Sequence, residues 1–193
     1  MTRRILGLMA CMAAVLSLGA CAPAGSAVGD TQDALPQVAH DAVHAADATV
    51  GFVGSGDAAA DRSVIDALCD DRLKVSYAAA SDSPDAAAEG AAARRGVADF
   101  VARAVRVVVI SGIDVTDANR GSWTETLTDA RNAGVPVVLL NPVHAPDDEL
   151  LYAATLRSAD AADDGGTRMH VTDAVLAVVR DEPHGRTIDI VVP

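Results

Sequence analysis

Residues 49–62 read TVGFVGSGDAAADR, an apolar run that breaks into Gly54-x-Gly56-x-x-Ala59 and then turns helical. That is the outline of a turn whose backbone amides cradle a dinucleotide pyrophosphate, and Asp82 stands where a ribose-binding acid would fall. Asp57 argues the other way, because a carboxylate at the helix start repels the phosphate that must lie there. Short glycine patterns recur by chance, so a plain strand-to-helix turn is the reading kept. His40-Asp41-Ala42-Val43-His44 spaces two imidazoles for one helical turn, but Asp replaces the Glu of the protease motif, and neither a third ligand nor an apolar face accompanies them. His144, His170 and His184 fall singly and make no constellation. Asp147-Asp148-Glu149 and Asp160 with Asp163-Asp164-Gly165 miss the spacing of a calcium loop and read as helix-start carboxylates in solvated links. No serine sits in a Gly-x-Ser-x-Gly elbow. The chemistry left is recognition by hydrogen bonds, with no cofactor or metal implied and no enzyme expected.

Polar residues recognise something only where the backbone gathers them. Near-continuous Val, Ile and Leu runs predict strands at Thr49–Val53, Leu73–Ala78, Val105–Ile110, Val135–Leu140, Leu151–Leu156 and Thr187–Val192, as in strands covered on both faces. Between them, Ser83-Pro84-Asp85 predicts a capped helix start with proline at its first position, running to Arg103 with Val97, Phe100, Val101 and Ala104 on one side. Ser122-Trp123-Thr124-Glu125 reads as a capping box, Trp123, Leu127 and Ala130 as a packed stripe, and Gly134 with Pro136 as the stop. A last helix is predicted over Thr167 to Arg180, and Asn141 to Leu150 as an irregular link. Strand and helix in alternation give an α/β fold, a three-layer α/β/α sandwich with a mostly parallel sheet. In such sheets ligands bind beyond the carboxyl ends of the strands, here Gly54–Asp57, Ala80–Ser83, Ser111–Thr116, Asn141–Ala145 and Ser158–Asp160.

The chain opens MTRRILGLMACMAAVLSLGAC: two arginines, an apolar stretch too short to span a bilayer, and small residues before a cysteine. Leu18-Gly19-Ala20-Cys21 resembles a bacterial lipobox, which implies cleavage before Cys21, lipidation of its thiol and a place on the outer face of the cell membrane. Residues 1–20 are then the leader, residues 21–47, rich in Ala, Gly, Asp and Pro, a tether, and residues 48–193 one domain. The net charge of −12 becomes more negative once Arg3 and Arg4 leave, which argues against nucleic acid as a partner. Cys69 remains as the lone thiol of the domain, with no disulfide available to it, and its helical stripe predicts a small buried hydrophobe.

A more specific likeness lies between Ser83 and Asp160. The Ser-Pro-Asp helix start, VADFV, the strand RVVVISGID, Gly121-x-Trp123, TLTDARNAGVPVVLLN and later LYAATLRSAD together resemble the N-terminal lobe of type I periplasmic sugar-binding proteins of ABC importers, nearest the ribose and galactofuranose branch. The resemblance covers about residues 48 to 192 and is most specific from Ala104 to Asn141. It implies a periplasmic-binding-protein-like lobe that holds a small carbohydrate and presents it to a membrane permease. Carried over residue by residue, it implies ligand contacts at Ser55 to Asp57, Ile113 to Asp114, Asn141 with Pro142, and Asp160. The family shows Asp-Arg where this chain has Asn141-Pro142, so a bidentate charged donor is replaced by an amide. The turn after the first strand brings no aromatic plate, and the chain holds five aromatics in all. The second lobe of the family is largely missing, so the last helix and strand are expected to fold back onto the same sheet as a sixth strand. A truncated or repurposed lobe without sugar binding is the alternative.

Overall fold

The computed structural model describes residues 43–79, 85–158 and 168–192. Five strands come first in the chain: β1 (Thr49–Val53), β2 (Lys74–Ala78), β3 (Val107–Ser111), β4 (Val137–Leu140) and β5 (Ala154–Ser158). The helices α1 (Ala58–Asp70), α2 (Ala86–Ala102) and α3 (Arg120–Asn132) follow β1, β2 and β3. A short β6 (Met169–His170) then leads into α4 (Val171–Val179) and β7 (Thr187–Val191). The strands form one sheet in the order β2-β1-β3-β4-β5-β7-β6, and every described pair is parallel.

The side-chain period of two makes each central strand serve both faces. In β3, Val107 and Val109 join one apolar cluster while Val108 and Ile110 join the other. The first cluster takes Val64 and Leu68 of α1 with Ala174, Val175 and Val178 of α4. The second takes Val97 and Phe100 of α2 with Trp123, Leu127 and Ala130 of α3. This is the three-layer α/β/α arrangement expected, with Trp123 packed at 2% exposure as its stripe predicts. Each fully buried Val, Leu or Ile of the sheet contributes on the order of 2 kcal/mol, so the central strands carry the fold.

β2, β3 and β4 start later than their apolar runs, and one local motif explains it, while β5 starts at Ala154 because Glu149–Leu151 forms a short turn instead. Three helices end in the same hydrogen-bond pair: Leu73 N–H donates to Leu68 O and Arg72 N–H to Cys69 O, Val105 to Phe100 and Ala104 to Val101, Val135 to Ala130 and Gly134 to Arg131. Arg72, Ala104 and Gly134 adopt positive φ to close these caps. Leu73, Val105 and Val135 are therefore apolar because they pack back on the helix they follow, not because they are strand residues. The fourth helix ends likewise at Asp181, φ 55°, with Glu182 N–H on Ala177 O.

Several expectations need correction. Ala104 lies beyond its helix and is exposed. Helix α2 begins at Ala86 with Asp85 as its cap, the Asp85 carboxylate accepting from Ala87 N–H, while Ser83 and Pro84 lie outside the described residues. Helix α3 begins two residues before the proposed capping box, so Ser122 sits inside its first turns, its carbonyl accepting from the Thr126 hydroxyl. Cys69 is exposed rather than buried, because Val64, Ala67 and Leu68 take the inward face of α1. The last helix begins at Val171, since Met169 and His170 pair with Ile190 and Val191 instead. β7 does add to the sheet beside β5, as the sixth strand in spatial order, and β6 extends it by a seventh that periodicity does not reveal. No described helix is long and apolar enough to cross a membrane.

Candidate functional site

Because β1, β3, β4 and β5 are consecutive neighbours, their carboxyl tips stand in one row. At strand spacing the row spans about 14 Å. Ser55, Asp57, Asp114 and Asn141 all lie on it, while Asp160, two residues beyond Ser158 in sequence, lies outside the described residues, as do Cys21 and Asp82.

The β1 tip is built around a buried acid. Asp61, in the first turn of α1, is 1% exposed. It accepts from Ser55 N–H at 2.7 Å and from the Ser55 hydroxyl at 3.1 Å. Ser55 Oγ in turn accepts from Asp57 N–H at 3.0 Å. Asp57 caps α1, its Oδ1 accepting from Ala59 N–H at 3.1 Å and Ala60 N–H at 3.0 Å. The amides that a pyrophosphate would require are thus already engaged, which favours the plain turn over the dinucleotide reading. Gly54 admits this arrangement: a Cβ there would collide with the Tyr77 hydroxyl and lie 2.8 Å from Asp61 Oδ2. Tyr77, half-exposed at the end of β2, is thereby an aromatic beside the first turn, supplied by a neighbouring strand rather than by the turn.

The β3 and β4 tips are joined twice. Asp114 and His144 form an isolated parallel bridge, and His144 Nδ1 lies 2.6 Å from Asp114 Oδ1. His144 therefore has a partner, contrary to its reading as a scattered histidine. Asn119 fixes the same loop, its Nδ2 donating to Asp114 O at 2.9 Å and its Oδ1 accepting from Thr116 N–H at 2.8 Å. Gly112, at φ 64°, turns the chain against Ser55, where a Cβ would lie 3.0 Å from the serine Cβ.

The β4 and β5 tips are closed by Asn141, itself at φ 45°. Its Nδ2 donates to Ser158 Oγ at 2.9 Å and its Oδ1 accepts from Ser158 N–H at 2.8 Å. Asparagine tolerates the left-handed conformation better than most residues, so one side chain serves both the turn and the bridge.

Charge around the row is arranged in pairs. Arg120 binds Asp117 at 2.8 Å and also Asp147, and the Asp117 hydrogen bond followed by the Asp147 charge raises the guanidinium further above its usual range. Asp148 caps the turn at Glu149–Leu151, accepting from Leu150 N–H at 3.0 Å. Asp148 is a helix-start carboxylate as expected, Asp147 is paired with Arg120 instead, and Asp163 to Gly165 lie outside the described residues. Among the described residues no cluster of His, Cys, Asp or Glu has the geometry to hold a metal. Two open grooves of about 400 and 410 Å³ lie elsewhere, sharing His170 and Asp173 in their walls, and none of Ser55, Asp57, Asp114 or Asn141 lines them.

Sequence reasoning missed Asp61 and the pairings of His144 with Asp114 and of Ser158 with Asn141. Asp61 carried a signal, since its spacing to Val64 and Leu68 puts a carboxylate on the inward stripe of α1. His144 and Asp114 stand at similar distances beyond adjacent parallel strands, a match that is visible only once β3 and β4 are known to be neighbours.

No protein-family model matches the chain. Comparison with curated proteins gives no match either. Among solved structures, a galactofuranose binding protein is similar at 21% identity and a TM-score of 0.45, over 57% of this chain and 36% of its own. The periplasmic binding protein component of the arabinose ABC transporter from Shewanella sp. ANA-3, bound to α- and β-L-arabinofuranose, gives 21% and 0.45, over 57% of this chain and 34% of its own. A Mycobacterium smegmatis protein in complex with β-D-fucofuranose gives 22% and 0.45, over 57% and 34%. The chain spans about a third of the length of these structures. The fold stands on the chain's own strand pairing.

Proposed function

We propose that this protein is a solute-binding lipoprotein of an ABC-type sugar importer, which holds a small carbohydrate at the carboxyl edge of its sheet without covalent chemistry. The observation that carries the reading is the unbroken row of polar strand tips at β1, β3, β4 and β5. Ser55, Asp57, Asp114 and Asn141 on that row keep hydrogen-bonding capacity beyond the bonds they already make. The bonds described use Oδ1 of Asp57 and of Asp114 and one amide hydrogen of Asn141, leaving a second oxygen or hydrogen on each. Paired donors and acceptors of this kind suit vicinal hydroxyls. The resemblance from Ala104 to Asn141 supports the same reading, and it implies Asp160 as a further ligand contact and a membrane permease as the partner. Lipid attachment at Cys21 would hold the protein on the extracytoplasmic face, and Cys21→Ala would then release it from the membrane fraction.

Calorimetric titration of residues 21–193 with D-ribose, L-arabinose, D-galactose and D-glucose tests the reading. Saturable heat with at least one sugar is expected. No heat and no thermal shift with any of them removes it. A second reading, a repurposed lobe that meets another protein and no sugar, is favoured by one observation: Ser55, Asp114 and Asn141 each already bond a neighbour. Retention of binding by the wild-type protein would discard that alternative.

A further inference from the structure

We propose that Asp61 is a positioning residue that fixes the hydrogen-bond sense of Ser55, so that the Ser55 hydroxyl meets a ligand as an acceptor and not as a donor. The inference rests on the reading that the strand tips hold a polyhydroxyl ligand. The Ser55 hydroxyl donates to Asp61 Oδ1 across the 3.1 Å contact, so its single proton is engaged there. One lone pair of Ser55 Oγ is taken by Asp57 N–H at 3.0 Å. A hydroxyl has one proton and two lone pairs, so what remains for a ligand is a single acceptor site.

The arrangement is rigid. Asp61 is 1% exposed and holds the serine by backbone as well as side chain, at 2.7 Å from Ser55 N. Gly112 closes against the Ser55 Cβ from β3, and Gly54 leaves the space that Asp61 Oδ2 fills. Among the described residues the Asp61 carboxylate accepts from two atoms of one half-buried serine, so it fixes how that serine presents itself.

Asp61→Asn reverses the polarity while keeping the shape. The asparagine oxygen can still accept from Ser55 N–H, but its amide donates to Ser55 Oγ, which then fills both lone pairs and turns its own proton outward. Calorimetry with the best-bound of D-ribose, L-arabinose and D-galactose, and with its monofluorodeoxy analogues in turn, reads this directly, since fluorine does not donate. The wild-type protein is expected to lose about tenfold in affinity at the position whose hydroxyl donates to Ser55, the loss of one hydrogen bond, besides any loss at positions that face Asp57 or Asp114. Ser55→Ala should abolish that discrimination, and Asp61→Asn should abolish it too, each variant binding the parent sugar and that analogue with similar affinity. Discrimination unchanged in Asp61→Asn but lost in Ser55→Ala overturns the proposal.

A measurement without ligand separates this from the underlying reading. The Ser55 hydroxyl proton should give a slowly exchanging NMR signal in the wild-type protein that is absent in Asp61→Asn. Failure to see it in wild type overturns the inference even if sugar binds. If the signal is seen but no sugar gives heat, the sugar reading falls and the ligand part of the inference falls with it.

Discussion

Asn141 and Ser158 close a two-bond ring between the tips of β4 and β5, with Nδ2 on Ser158 Oγ at 2.9 Å and Oδ1 on Ser158 N–H at 2.8 Å. The ring ties the middle of the candidate row to its far end and leaves one amide hydrogen free. Two losses are combined in Asn141→Ala: the bridge, and a residue suited to φ 45°. We expect a cost of about 2 kcal/mol in chemical denaturation. Asn141→Gly relieves the backbone but not the bridge, so it should lie closer to wild type, while both variants should lose sugar binding. Binding unchanged in either would show that Asn141 is structural only.

Asp57 is expected to matter first as a helix cap. Asp57→Ala leaves the Ala59 and Ala60 amides without their acceptor and should cost about 1 kcal/mol, whereas Asp57→Ser or Asp57→Asn should recover most of it. Thermal unfolding of the three variants checks this. If Asp57 also contacts ligand, Asp57→Ser will restore stability without restoring affinity.

Ala104 occupies a left-handed position at φ 51° where glycine is at ease. Ala104→Gly should stabilise the protein by up to about 1 kcal/mol, the steric relief exceeding the entropy that glycine adds to the unfolded chain. Gly134→Ala, at φ 73°, should do the reverse. Denaturation midpoints moving in the same direction for both would contradict this account of the caps.

Tyr152 gives the fold an alkaline limit. Burial, then the neighbouring Glu149 charge, raises its phenol above the usual 10.0. The folded state therefore holds the proton more tightly than the unfolded chain. Its contribution is fully present below about pH 10 and is lost as pH rises through the raised value. Tyr152→Phe removes that titration, so its stability should fall less steeply than wild type as pH rises above about 10. Equal slopes would mean that the phenol does not titrate with unfolding.

Apolar runs in the sequence were enough to place β1, β3 and β4 and the parallel layering, because strands buried on both faces cannot hide their Val and Ile content. By contrast, β7 shows by alternation, and β5 lies three residues later at its start than its run, which begins in the turn at Glu149–Leu151. Boundaries slipped where Leu73, Val105 and Val135 are apolar for a different reason, as contacts of helix caps. The start of α3 slipped because a capping box is a local pattern, and tertiary packing of Trp123 let the helix begin earlier. Ser55, Asp57, Asp114 and Asn141 were legible as strand tips. Their partners Asp61, His144 and Ser158 were not, since each pairing depends on which strands are neighbours or which way a helix faces.

The central claim is that the carboxyl edge of β1, β3, β4 and β5 is where a small sugar sits. Amide chemical-shift mapping of the isotope-labelled protein during titration with the tightest-binding sugar tests it most directly. The account predicts saturable shifts concentrated at Ser55, Asp57, Asp114, Asn141 and Ser158, with little change at His170, Asp173 or Asp189 in the grooves beside α4. Shifts confined to those grooves, or none at any sugar concentration, would contradict it.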